Sequence, residues 1–273
     1  MKKIFIIISL LLCATILSAQ TYEEMVTKSM DYLDKKDYFS AEQSLKAALR
    51  KEPANPNNIM LMVNLGTIQR NLGKYDEALV SYNIAIDRYP RKIFLRQSRA
   101  ALYCEMGEYG EAMKDYNAIL LSDPNDLEAL YRRGLLHLHN KELLSAEDDF
   151  EKIVSIVPES LPGKMGIALI MKRRGNWKDA EEYYTDLIYK NKSNAELYFN
   201  RAECYLQLNK LARANEDIGK ALELGISDPL IYILRGQLRL AQYDKRMAKE
   251  DFLKAQENGV SESIVSDFLR LCK

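Results

Sequence analysis

His137 and His139 are the only imidazoles in a chain of 273 residues. Two positions apart on a helix they do not share a face, and a metal site would need further ligands. His137 is expected in the core and His139 on the surface. After residue 20 three cysteines remain, Cys104, Cys204 and Cys272, with no CxxC spacing. They fit neither a disulfide framework nor a zinc pattern and read as small buried hydrophobes. The acidic runs Glu147-Asp148-Asp149 and Glu181-Glu182 offer carboxylates for acid–base work. They fall at the starts of expected helices, where negative charge complements the helix dipole. There is no Gly-rich phosphate loop, nucleophile elbow or HExxH motif. The one Asn-x-Ser sequon, Asn191-Lys192-Ser193, is too short a motif to carry weight. The expectation is a non-enzyme with no catalytic, cofactor-binding or metal-ligating residues.

A more regular chemistry lies in the arginines and aspartates. Arg99, Arg133, Arg201 and Arg235 are followed, each at the same interval, by Asp115, Asp149, Asp217 and Asp251. The interval has its cause in the elements that carry these residues. Ala78, Ala112, Ala146, Ala180, Ala214 and Ala248 stand 34 residues apart, and Ala41 precedes them by 37 because Pro56-Asn57-Asn58 is inserted. With this alanine as position 20, units span 22–55, 59–92, 93–126, 127–160, 161–194, 195–228 and 229–262.

Position 8 is always small, from Ser29 and Gly66 to Gly236, and position 24 always large and apolar or aromatic, from Leu45 and Tyr82 to Phe252. Positions 4, 7, 8 and 11 make one face of a first helix, and 20, 24 and 27 one face of a second. Small side chains at 8 and 20 let the axes approach, and the residue at 24 fills the remaining space. NLGKY, EMGEY and RRGNW mark the intervening turn, where glycine permits the positive φ that ends a helix. Proline at position 32 closes the second helix in the first four units (Pro53, Pro90, Pro124, Pro158); Lys192, Ile226 and Val260 stand there in the last three.

Within this register the arginines are position 7 and the aspartates position 23 of the same four units. In the other three units position 7 is Lys28, Leu65 or Ile167 and position 23 is Ser44, Ser81 or Tyr183, so neither partner occurs alone. We infer an ion pair between the two helices of one unit. Removing one partner of a half-buried pair would cost about 3–5 kcal/mol by stranding a charge; an exposed pair matters by about 0–1 kcal/mol. The functional alternative, arginines aimed at an anionic ligand, is disfavoured because matched aspartates neutralise them.

A 34-residue helix-turn-helix unit with these residues resembles the tetratricopeptide repeat family, over residues 22–262. The resemblance implies an all-α fold, a right-handed α-α superhelix of seven helix-turn-helix repeats. Thr21 and Glu24 would form a capping box at its front. Residues 263–273 would form a capping helix at its back, with Ile264, Val265, Phe268 and Leu269 on the seventh unit. The family binds peptides on a concave face lined by first helices, at positions 2, 5, 9, 12 and 13. Here those positions supply an apolar groove centred on Phe94, Tyr131, Leu135, Met165, Leu169 and Phe199. The lysine, asparagine and arginine set that clamps a C-terminal carboxylate in some members is missing. Asn64 and Asn200 could bond a peptide backbone, and Lys172 and Arg173 form a charged edge near His139.

Residues 1–19 differ from the rest. Lys2 and Lys3 precede the apolar residues 4–17, with Ser18 and Ala19 small. This is a signal-peptide pattern with cleavage after Ala19. The apolar run is shorter than the ~20 residues that span a bilayer, and Leu12 before Cys13 argues against a lipoprotein. Export to a bacterial periplasm or the extracellular space is expected, with no membrane span after cleavage. Lys+Arg and Asp+Glu are both 39, so no basic excess points to nucleic acid. The expected function is a protein–protein interaction scaffold or adaptor of the cell envelope, without cofactor, holding a protein or peptide partner in the apolar groove. A self-associating structural module and a binder of a polymeric ligand such as a glycan are the alternatives; Trp177 alone gives the latter little aromatic platform.

Overall fold

A computed structural model describes residues 20–272; the expected signal peptide, residues 1–19, and Lys273 lie outside these. Among the described residues all regular structure is helical, in fifteen helices. They are α1 (Tyr22–Asp34), α2 (Tyr38–Lys51), α3 (Asn58–Asn71), α4 (Tyr75–Arg88), α5 (Ile93–Glu105), α6 (Tyr109–Ser122), α7 (Leu127–His139), α8 (Leu143–Ile156), α9 (Leu161–Arg173), α10 (Trp177–Lys190), α11 (Ala195–Gln207), α12 (Leu211–Glu223), α13 (Leu230–Ala241), α14 (Lys245–Glu257) and α15 (Glu262–Arg270). The chain forms two compact units, one ending at Ala129 and the other beginning at Leu130. Within each, a helix packs on those before and after it in sequence, the arrangement of stacked helix-turn-helix repeats.

The small and large positions meet as helix packing requires. A methyl group on Gly66 would stand 2.7 Å from the Tyr82 ring, and one on Gly134 2.8 Å from Phe150. Tyr82, Phe150, Tyr184 and Phe252 are among the largest fully buried side chains, each stabilised by about 1.5–3 kcal/mol of apolar burial. In the first unit Ala41, Leu45, Ala48, Leu61, Leu65 and Ile68 form one cluster. In the second, Tyr184, Leu187, Leu197 and Cys204 form another.

The turn between the two helices of a repeat needs a positive φ at position 15 in all seven repeats. Glycine supplies it at Gly73, Gly107 and Gly175, but Lys36, Lys141, Asn209 and Tyr243 hold the same conformation without being glycine. The second helices of repeats six and seven, which lack the closing proline, end instead on Gly225 (φ 77°) and Gly259 (φ 103°). There Ile226 N donates to Ala221 O at 3.1 Å and Val260 N to Ala255 O at 3.0 Å, the six-to-one bond of a Schellman close.

At the front, Thr21 Oγ1 accepts from Glu24 N at 3.1 Å and Thr21 N donates to Glu24 Oε2 at 2.9 Å, a reciprocal cap. The Pro56-Asn57-Asn58 insertion is absorbed by Asn58, which opens α3. Its Oδ1 accepts from the buried Tyr22 hydroxyl at 3.0 Å and its Nδ2 donates to Glu52 O at 2.6 Å. At the back, α15 starts at Glu262, one residue earlier than expected. Val265 is fully buried and Phe268 stacks on Phe252 with centroids 5.2 Å apart. Ile264 does not join them: it is 46% exposed, and Cys272 packs against the seventh repeat in its place.

Candidate partner-binding face

On the first helices, where the groove is expected, the arginines of position 7 are engaged within the protein. Arg99 Nε lies 2.8 Å from Asp115 Oδ2 and its Nη2 2.6 Å from Oδ1. Arg133 reaches Asp149 at 2.9 and 2.6 Å, and Arg201 reaches Asp217 at 2.7 and 2.8 Å. Arg235 Nε lies 3.0 Å from both oxygens of Asp251, with Nη2 2.6 Å from Oδ1. All four are two-pronged contacts between the two helices of one repeat. The aspartates are buried and the arginines half-buried, so charge and hydrogen bonds are satisfied together.

Each pair recruits neighbours that the register of positions 7 and 23 does not announce. Arg99 Nη1 donates to Asn83 Oδ1 at 2.6 Å, and Arg201 Nη1 to Thr185 Oγ1 at 3.1 Å; both acceptors lie on the second helix of the preceding repeat. Position 11 also turns toward the pair. Arg239 Nη1 is 2.5 Å from Asp251 Oδ2, so that carboxylate holds two guanidinium groups. His137 presents Nε2 4.0 Å from Asp149 Oδ2 while its Nδ1 sits 2.5 Å from Glu142 Oε2. His137 is therefore half-buried between carboxylates, and His139 is exposed. In the second repeat, without the arginine or the aspartate, Ser81 Oγ donates to Gln69 Oε1 at 2.7 Å across the same gap.

A second set of ion pairs joins successive repeats. Position 21 on a second helix bears Glu42, Glu147 or Glu181, and the next repeat's turn bears the cation. Lys74 Nζ is 2.7 Å from Glu42 Oε2, Arg174 Nη2 2.5 Å from Glu147 Oε2, and Lys210 Nζ 2.6 Å from Glu181 Oε2. The Glu42 side chain is fully buried. Burial alone would raise its pKa, but hydrogen bonds from Lys46 and Lys74 outweigh that and hold the carboxyl below the usual range. Burial likewise opposes, and hydrogen bonding from Lys210 reverses, the shift of Glu181, which also ends lowered.

The expected charged edge is corrected. Lys172 is buried, with Nζ 2.7 Å from Asn200 Oδ1 and 2.5 Å from Glu203 Oε2. It bridges α9 to α11, and only Arg173 remains exposed. Asn200 is engaged as well: its Nδ2 donates to Glu196 O at 2.8 Å, so it has little left for a peptide backbone. In the first unit Arg70 and Glu105 join α3 to α5 in the same way, with Nε 2.7 Å from Oε2.

Of the apolar groove residues, Phe94 belongs to the first unit and is 36% exposed. Tyr131, Leu135, Leu169 and Phe199 belong to the second unit and are half-buried. The Tyr131 ring tilts against Phe150 at 6.1 Å, and Phe199 packs beside the cluster of Ala202, Tyr205 and Ile218. Met165 does not belong with them. It is 9% exposed and sits in the core cluster with Ala168 of its own helix, Tyr184 of α10 and Leu197 of α11. Among the described residues no group of three or more histidine, cysteine, aspartate or glutamate side chains could hold a metal ion. No helix among them is long and apolar enough to cross a membrane.

The family model of the tetratricopeptide repeat matches residues 26–93, 95–160 and 167–229. The chain belongs to the tetratricopeptide repeat family. A tetratricopeptide repeat protein from Parabacteroides merdae ATCC 43184 superposes with a TM-score of 0.83 at 43% identity, over 92% of this chain and 98% of that one. PilF of Pseudomonas aeruginosa shares the fold alone, with a TM-score of 0.59 at 16% identity over 78% of this chain and 97% of that one. RNA polymerase II-associated protein 3 of Xenopus tropicalis is 34% identical over 110 residues, 38% of this chain and 17% of that protein. The chain thus spans a small part of the curated relatives it matches, 17% and 15% of their lengths.

Proposed function

We propose that this protein is a non-enzymatic adaptor of the cell envelope that holds a segment of a protein partner on the first helices. The tetratricopeptide repeat fold is a protein–protein interaction module, and the finer reading rests on one observation. In the second unit Tyr131, Leu135, Leu169 and Phe199 keep apolar surface accessible on first helices, while Arg133, Lys172, Arg201 and Asn200 beside them are engaged within the protein. A partner would therefore be held by apolar side-chain burial, with few hydrogen bonds to spare. The signal-peptide pattern of residues 1–19 supports placing the adaptor beyond the inner membrane. Native co-purification from the cell envelope, wild type beside Leu135→Asp, tests the reading. A partner retained by the wild type and lost with the variant is the expected result. Equal recovery by both would place the working surface elsewhere.

A further inference from the structure

Where first helices begin and second helices end, the first unit carries two cavities at equivalent places in successive repeats. One, of about 100 Å³, is lined by Leu49 and Pro53 of repeat one, by Asn58 before repeat two, and by Ile59, Met62 and Ile84 of repeat two. The other, of about 430 Å³, is lined by Pro90 and Arg91 of repeat two and by Ile93, Arg96, Ala118, Leu121 and Ser122 of repeat three. Each lies between the start of a first helix, the end of the second helix of the same repeat, and the closing proline of the repeat before. They abut: Arg88 and Tyr89 border the first, Pro90 and Arg91 the second. Apolar side chains stand open along this edge, with Ile84 46% and Leu121 88% exposed. At the junction Arg88, Arg91 and Lys92 are exposed, and no ion pair among the described residues engages them. Most arginines elsewhere are held by carboxylates, as Arg70, Arg96, Arg99, Arg174, Arg201 and Arg235 are.

We propose that this edge is a second docking surface, and that its occupant is an acidic segment of a partner protein carrying bulky aliphatic side chains. The apolar walls of cavities one repeat apart, Ile59, Met62 and Ile84 in one and Ile93, Ala118 and Leu121 in the other, take the aliphatic side chains, and the three unpaired cations between them take the carboxylates. Long-range attraction to the cations would speed encounter, and burial in the cavities would set the residence time. The surface uses the starts of the first helices α3 and α5 and none of Phe94, Tyr131, Leu135, Leu169 and Phe199.

The test is fluorescence anisotropy with the purified chain and a labelled synthetic peptide of alternating leucine and glutamate pairs. The same peptide with lysine for glutamate is the control. Saturable binding of the glutamate peptide alone, weakening with added salt, is expected. Arg88→Glu/Arg91→Glu, at exposed sites, should keep the helical signal and lose affinity by about tenfold or more. Leu121→Ser should weaken binding without moving the melting temperature, and Leu135→Asp should leave it unchanged. Equal binding of both peptides, full affinity in the charge-reversed variant, or no binding at all would overturn the proposal. So would capture of the chain by phosphatidylglycerol vesicles through the same arginines with the peptide ignored, or a mass that rises with concentration and falls on charge reversal; these assign the edge to a membrane surface or to a second copy.

Discussion

The single residue on which most depends is the aspartate at position 23. Asp217 is buried against one guanidinium and Asp251 against two. Asp217→Ala strands Arg201 and should cost about 3 kcal/mol, read from urea unfolding. Asp251→Ala leaves Arg235 and Arg239 both uncompensated and should cost more. The paired change Arg201→Met with Asp217→Leu should recover most of the loss, because it removes the charges together. Glu42 gives a pH dependence of definite sign. Its carboxyl is held below the usual range in the folded protein, so its contribution is present above the unfolded value of about 4.3. It fades as the pH falls through the folded value. Unfolding midpoints should therefore drop on acidification below about pH 4.3, and Glu42→Gln should be less stable near neutrality with a shallower drop. The four arginine–aspartate partners were legible because sequence comparison among repeats exposes a pair that comes and goes together. The Glu42–Lys74, Glu147–Arg174 and Glu181–Lys210 pairs were not, since the cation stands at position 16 in two repeats and position 14 in another. Nor was the burial of Lys172 and Met165, which depends on neighbours from α10 and α11.

At the level of the helix, glycines with opposite roles make opposite predictions. Gly219 lies inside α12 and a methyl group there meets nothing within 4 Å, whereas one on Gly236 would run into the ring of Phe252. Gly219→Ala should stabilise by up to about 1 kcal/mol through helix propensity. Gly236→Ala should destabilise by about 1–3 kcal/mol through overpacking; thermal melts of the two variants should move in opposite directions. The turns offer a complementary case. Tyr243 holds a φ of 64° and is 94% exposed, so it bears the cost of a left-handed conformation with no packing in return. Tyr243→Gly should raise stability by about 0.5 kcal/mol, the relieved strain exceeding the added freedom of the unfolded chain. Helix pairing was readable from the small residue at position 8 and the large one at 24. The ends of the last two repeats were not, because their closing glycines, Gly225 and Gly259, do a proline's work one position earlier.

For the whole molecule, stability is the sum of repeats and their junctions. Cys204 reports on it: burial in the core of α9–α11 pushes its thiol up to about 12, and only the thiolate reacts readily. Thiol labelling of Cys204 in rising urea should stay negligible until helix is lost, and then rise in parallel with it; early labelling would mean that this region opens by itself. The arginine–aspartate pairs also bear on how such a chain changes over generations. A repeat that loses its aspartate first keeps a half-buried cation without its counter-charge, and one that loses its arginine first keeps a buried anion. Either single step passes through a less stable protein, while the state with both or with neither is comfortable. Point mutation therefore meets a barrier between the two alternatives, the paired state of repeats three, four, six and seven and the uncharged state of the second, with Leu65 and Ser81. Four of the seven repeats carry both the arginine and the aspartate, and three carry neither, as expected of two residues that are tolerated together more readily than apart.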